Sequence, residues 1–176
     1  MATPAWKTSA LIETIPELAQ LKQDLSRFKP QPITTAYFFF DEPIKFSYPM
    51  LGALKGYGQW HFDRKNANQP HVLSVVVSSD EQTKALDNQT LLDNIEAEIK
   101  QAYPSLQSPV QRKIIKEKHA AFSADANLEQ RRPSNKTGVD NLYLAGEYTN
   151  TNYPATMEGA VKSGWHCADV IQKSHK

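Results

Sequence analysis

The strongest constraint on this chain lies near its end, where Leu142-Tyr143-Leu144-Ala145 runs into Gly146-Glu147 and then, after a loop from Tyr148 to Pro154, into Ala155-Thr156-Met157-Glu158-Gly159-Ala160. The apolar quartet predicts a short buried strand. Gly146 ends it with a residue lacking Cβ, which lets backbone come close to whatever lies opposite. Glu147 stands where strand gives way to loop. Met157 to Gln172 predicts a helix, and Gly159, Ala160, Ser163 and Gly164 line one side of it with small residues that permit tight packing. The free N–H groups at such a helix start carry partial positive charge and can stabilise an anion.

Upstream, Leu11, Ile12, Ile15, Leu18, Leu21 and Leu25 recur at near-helical spacing that Pro16 interrupts. A short helix or turn is expected over 8–14 and a second helix from Pro16 to Phe28, ended by Pro30 and Pro32. Ile33 to Asp41 is β-branched and aromatic and predicts a strand. Gly52, Gly56 and Gly58 predict a turn over 50–58 that leads into a strand at Gln59 to Phe62. His71 to Ser78 is apolar enough for a buried strand. Short turns between these strands imply an antiparallel sheet. Leu86, Leu91, Leu92, Ile95, Ile99 and Ala102 predict an amphipathic helix from Thr83 to Tyr103, stopped by Pro104. Val110 to Phe122 predicts a strand with one face in water, where Lys113, Lys116 and Lys118 mark a solvated edge, and Arg131 to Lys136 a loop. The fold class is α+β.

Twenty basic against nineteen acidic side chains leave a net charge of +1, which gives no electrostatic reason to expect nucleic acid as a partner. The single cysteine, Cys167, excludes an intramolecular disulfide, and with no signal-peptide pattern it favours a reducing, cytoplasmic setting. No apolar run approaches the roughly 20 residues that span a bilayer, so any membrane contact is expected to be peripheral. Cys167 is read as a small buried residue, His119 and His166 as structural histidines, and metal binding is not expected. Tyr37, Phe39, Trp60 and Phe62 are candidates to line an apolar substrate channel, although aromatic residues on strands more often belong to a core.

Asn141-Leu-Tyr-Leu-Ala-Gly-Glu-Tyr-Thr149 followed by Tyr153-Pro-Ala-Thr-Met-Glu-Gly-Ala-Val-Lys-Ser-Gly164 closely resembles the carboxy-terminal FAD signature of the amine oxidase and phytoene desaturase superfamily. Pro32-Ile33-Thr34-Thr35, Gly58 to Arg64 and Glu117 to Phe122 resemble the squalene-associated desaturases, also described as hydroxysqualene dehydroxylases. The resemblance runs over nearly the whole chain. It implies an FAD cofactor held by Ala145, Gly146, Glu147, Ala155, Thr156, Met157, Glu158, Gly159 and Ala160. In a reduced flavin, negative charge develops near N1 and the C2 carbonyl, and donors around Thr156 and Met157 are expected to meet it. The implied chemistry is hydride transfer between an apolar isoprenoid and flavin N5, with no side-chain base assigned. Family members usually carry Asp where Glu147 stands and Arg where His119 stands.

Members also begin with a strand and a Gly-x-Gly-x-x-Gly turn for the ADP half of FAD, and this chain has no such turn. Met1-Ala-Thr-Pro-Ala5 resembles an Ala-x-Pro stretch inside the FAD domain, so the expectation is a chain that starts within a longer protein. The resemblance divides it into a partial FAD-domain or connecting segment over 1–32, a substrate-domain sheet with its helix over 33–135, and the FAD-binding strand, loop and helix over 136–176. The expected partners are the isoprenoid substrate and the missing amino-terminal FAD domain. Two rival readings stand beside this one: a non-catalytic remnant or split-enzyme subunit that supplies half a site, and a flavin amine oxidase.

Overall fold

A computed structural model describes residues 1–78, 83 and 85–174. The chain divides into two compact units, one formed by Met1–Pro30 with Ala121–Lys176 and the other by Gln31–Ala120.

In the first unit, α1 (Ala5–Leu11) starts earlier than the hydrophobic spacing suggests, because the Pro4 carbonyl accepts the Lys7 and Thr8 N–H groups at 3.0 and 2.9 Å. Pro16 opens a 3-10 turn over Pro16–Leu18, and α2 (Ala19–Leu25) follows it, ending short of the expected Phe28. Pro30 and Pro32 then sit in the opening residues of a strand. The apolar faces of these segments meet Phe122, Leu128, Leu144 and Tyr148 in one core, where Phe28 packs edge-on against Phe122 at 5.0 Å and Tyr148 at 6.1 Å. Among the described residues the expected strand at Leu142–Ala145 pairs through isolated bridges, Ala2 with Ala145 in parallel and Lys136 with Tyr143 antiparallel, rather than through a ladder. Leu144 is nevertheless fully buried. The unit's last helix, α4, spans Met157–Ser174.

The second unit is built on a five-stranded sheet in the order β2-β3-β4-β1-β5, from β1 (Pro30–Phe39), β2 (Met50–Gly52), β3 (Trp60–Asp63), β4 (Val72–Ser78) and β5 (Gln111–Phe122). β4 pairs antiparallel with β1, Ala36 opposite Val75 and Phe38 opposite Leu73, and antiparallel with β3 on its other side. Ala36, Phe38, Leu73, Val75 and Val77 therefore point to one face, where Leu91, Leu92, Ile95 and Ile99 of α3 (Asn88–Ala102) complete the core.

Met50–Gly52 is a strand where glycine content predicted a turn. A Cβ on Gly52 would lie 3.1 Å from the Trp60 ring across the pair, so this glycine makes room for an aromatic neighbour rather than bending the chain. The turn lies beyond it, where Gly56 has φ +97° and the Glu98 carboxylate accepts the N–H groups of Tyr57 and Gly58 at 2.8 and 2.9 Å. α3 begins at Asn88, later than the expected Thr83, because the Asp87 carboxylate accepts the Gln89 and Thr90 N–H groups at 2.9 Å each and caps the helix there. Residue 84, within that expected span, lies outside the described residues. Arg112 on β5 ties the strand to α3 through Asp93 at 2.6 Å and Glu96 at 2.8 Å. Lys113 and Lys118 on this edge strand are exposed and Lys116 is half-buried. Among the described residues no helix is long and apolar enough to cross a membrane.

Candidate functional site

The turn after Ala145 is fixed by a buried polar network rather than by a strand ladder. Ser163, on the inward face of α4, accepts the Gly146 N–H at 2.9 Å and the Asn135 amide at 3.2 Å. The Thr149 hydroxyl donates to the Gly146 carbonyl at 2.9 Å and lies 2.5 Å from the Ser163 hydroxyl, which leaves Ser163 as the donor between the two. Asn135 also donates to the Leu144 carbonyl at 2.8 Å. Both polar groups of the Gly146 peptide are thus satisfied inside the protein. The absent Cβ of Gly146 would stand 2.6 Å from the Tyr148 ring, so the glycine admits that ring. Tyr148 is fully buried, hydrogen-bonded to Thr8 at 3.0 Å, and burial pushes its phenol up to about 12, which keeps it neutral.

The Ser163 anchor sets α4 against the turn. Gly159, Ser163 and Cys167, one helical turn apart, are its buried residues, and Gly159 comes so near the Pro154 carbonyl that a Cβ would lie 2.5 Å from it. Gly164, expected on the packed face, is exposed with open space about it, and Ala160 is half-buried. At the helix start the Thr156 hydroxyl accepts the Gly159 N–H at 3.1 Å, while its carbonyl accepts from Ala160 at 3.0 Å. Among the described residues the N–H groups of Met157 and Glu158 have no protein acceptor. The Met157 side chain is exposed.

The loop ahead of α4 borders a half-open cleft of about 670 Å³, lined by Phe122, Leu128, Arg132, Tyr153, Pro154 and Ala155 among others. Arg132 is buried beneath it, donates to the Tyr153 carbonyl at 2.8 Å, pairs with Glu129 at 2.9 Å and lies over the Phe122 ring at 5.7 Å. Thr151, one residue before the cleft-lining Asn152, has a buried hydroxyl without a partner among the described residues. The Met157 and Glu158 N–H groups follow the cleft-lining Ala155 by two and three residues, and the lining mixes Phe122, Leu128 and Tyr153 with Asp125, Asn127 and Glu129; donors of this kind have the chemistry to meet the hydrogen-bonding edge of a flavin ring.

In the other unit the register brings the four aromatic candidates to a single sheet face. Tyr37 and Phe62 flank Ser74 from opposite sides, Trp60 pairs with Val76, and Phe39 pairs with Val72. This is the face opposite α3; Trp60 is 43% exposed there and the other three are half-buried. Sequence reasoning placed them on strands but had no means of seeing that β4 sits between β1 and β3. It also passed over His61, on the α3 side. That ring is 6% exposed, its Nδ1 lies 3.3 Å from the Tyr103 hydroxyl, its Nε2 has no hydrogen-bond partner among the described residues, and burial lowers its pKa against a smaller opposing pull from Gly58 and Glu98. Asn135 and Thr149 were likewise missed; Asn135 is 28 residues from Ser163, a separation that carries no local pattern. Cys167 is buried as expected, whereas His119 and His166 are exposed.

The chain is 31% identical over 170 residues to a hydroxysqualene dehydroxylase of Zymomonas mobilis, a match covering 97% of this chain and 37% of that protein. It is 26% identical over 159 residues to a 15-cis-phytoene desaturase of Arabidopsis thaliana, covering 82% of this chain and 28% of the relative. An oxidoreductase from Methanosarcina mazei has the same fold, with a TM-score of 0.62 at 12% identity over 93% of this chain and 40% of the solved one. The chain thus spans well under half the length of these proteins. The flavin containing amine oxidoreductase family matches residues 1–172, the strand end, the cleft and the start of α4 included, and the chain belongs to that family.

Proposed function

We propose that this chain is the carboxy-terminal part of an FAD-dependent oxidoreductase acting on an apolar isoprenoid of the hydroxysqualene or phytoene type, and that it is incomplete as a catalyst alone. The observation that carries the flavin reading is the pair of Met157 and Glu158 N–H groups that have no protein acceptor among the described residues, at the start of the helix that follows the cleft-lining Ala155. When bound, the flavin supplies hydride transfer. The chain's own part is to hold and polarise. Met157 and Glu158 would offer backbone donors to a bound flavin and Tyr153, Pro154 and Ala155 would help to hold it, while the network of Ser163, Thr149 and Asn135 fixes the Ala145–Glu147 turn against the helix. The isoprenoid reading is supported by the match to the Zymomonas and Arabidopsis proteins and by the apolar face of Tyr37, Phe39, Trp60 and Phe62. The short length relative to those proteins favours a half-site that needs further polypeptide to retain FAD.

The test combines this chain with the part of the Zymomonas protein outside the matched 170 residues, in the presence of FAD. The chain alone is expected to stay colourless and the reconstituted protein to turn yellow and oxidise its isoprenoid. Met157→Leu leaves the backbone donor in place, whereas Met157→Pro removes it at a position where a first helical turn tolerates proline. Loss of one donor to a developing anion costs roughly 3 kcal/mol, about a hundredfold in flavin reduction rate. Equal rates for the two variants would show that the Met157 amide does not serve the flavin, and a stoichiometric yellow chain on its own would refute the half-site.

A further inference from the structure

The hairpin of β2 and β3, at one edge of the five-stranded sheet, turns large apolar side chains outward. Its loop is anchored to α3: the Glu98 carboxylate accepts the Tyr57 and Gly58 N–H groups at 2.8 and 2.9 Å, and the φ of +97° at Gly56 suits a residue without Cβ. Within that anchored loop Leu54 is fully exposed, with exposed Lys55 beside it. At the other end of β2, Tyr48 is 64% exposed. Exposed Met50 pairs with Phe62 and so belongs to the aromatic sheet face already described. Leu54 and Tyr48 lie outside the paired residues, and the core gives neither a place.

Charge indicates what these side chains meet. From Lys45 to Lys65 the lysine and arginine side chains are Lys45, Lys55, Arg64 and Lys65, and the one carboxylate is Asp63, which accepts the Lys65 N–H at 2.7 Å. Lys65 and Tyr48 line one small cleft, so cation and aromatic ring are neighbours in space. The cores of protein–protein interfaces are depleted of lysine, and two copies of a surface with this excess of positive charge repel each other. Leucine and tyrosine interleaved with lysine instead match an anionic bilayer surface: the apolar side chain enters the acyl boundary, the amphipathic ring stands among the headgroups and the ammonium groups meet phosphate.

We infer that the β2–β3 hairpin is a docking element for an anionic lipid surface, with Leu54 inserted, Tyr48 at the headgroups and Lys45, Lys55 and Lys65 against their phosphates. Glu98 serves this contact by fixing the loop, so that Leu54 projects without a further loss of backbone freedom on docking. The contact goes beyond the flavoprotein reading and needs neither flavin nor isoprenoid.

The experiment sediments the purified chain with vesicles of phosphatidylcholine containing phosphatidylglycerol and with vesicles of phosphatidylcholine alone, in flavin-free buffer, and records its mass in solution by light scattering. Binding to the anionic vesicles is expected, weakened by added salt and by leaving out phosphatidylglycerol. Leu54→Asp should lower the partition coefficient by about tenfold, the effect of withdrawing one leucine from an apolar phase, and Lys55→Glu by at least about fivefold through reversal of charge. Val110→Asp, at an exposed position just before β5, should leave it within about twofold. Because these positions are exposed, the variants should unfold at the same denaturant concentration as the parent chain. A chain that stays in the supernatant with anionic vesicles overturns the inference. So does binding that Leu54→Asp and Lys55→Glu leave unchanged, or a dimer of this chain that Leu54→Asp dissolves, which would give the surface to a second copy.

Discussion

The Ser163 hydroxyl accepts the Gly146 N–H at 2.9 Å, and this bond joins the end of one extended segment to the inward face of α4. Replacing Ser163 with alanine removes the acceptor while leaving Cβ in place, so the change is electrostatic rather than steric. The Gly146 N–H is then left without its partner, at a cost of about 1–3 kcal/mol. Urea unfolding should show the midpoint falling by that amount with little change in slope; a midpoint within about 0.5 kcal/mol of the parent would mean that water replaces the hydroxyl.

Gly146→Ala should destabilise the chain with no cofactor present, since the new Cβ would stand 2.6 Å from the ring of fully buried Tyr148. Overpacking of this kind costs about 1–3 kcal/mol. Made in a Tyr148→Leu background, where the ring edge is gone, the same alanine should cost much less. A double-mutant cycle in thermal or urea unfolding measures the difference, and an unchanged cost in the two backgrounds would show that something other than the ring opposes the Cβ.

His61 predicts a pH dependence. Its folded pKa lies below the ordinary value of 6.5 because burial disfavours the charged ring. The unfolded chain therefore takes up a proton on His61 before the folded one does. Stability linked to this group is constant above about pH 6.5 and falls as pH drops from there toward the folded pKa. His61→Gln, which keeps polarity but does not titrate, should flatten that part of the curve. Denaturant midpoints at about pH 7.5 and 5.5 decide it: the parent should lose more stability than the variant over that interval, and equal losses would assign the dependence elsewhere.

Much of this molecule was legible as periodicity. The apolar run in His71 to Ser78 and the three- and four-residue spacing of Leu91, Leu92, Ile95 and Ile99 predicted the strand and helix that form the second core. Element ends were less legible, because caps decide them: Asp87 starts α3 and Pro4 starts α1 through single hydrogen-bonding groups. Gly52 misled for a related reason. A glycine that turns the chain and one that makes room for a cross-strand tryptophan look alike until the register with Trp60 is known.

The sequence by itself determined most of the strands and helices, though not the strand at Met50–Gly52, that the terminal glycine, loop and helix are a flavin-family feature, and which aromatic residues are candidates for an apolar surface, since each rests on neighbours within a few positions. Only the tertiary structure decided that Tyr37, Phe39, Trp60 and Phe62 share a sheet face, because β4 intervenes between β1 and β3. Only it showed that Gly146 is held by Ser163, Thr149 and, through Leu144, by Asn135, and that Leu54 stands bare. The reason is physical: pairing register and buried hydrogen bonds join residues distant along the chain, and their energies depend on burial and geometry that arise when the chain packs.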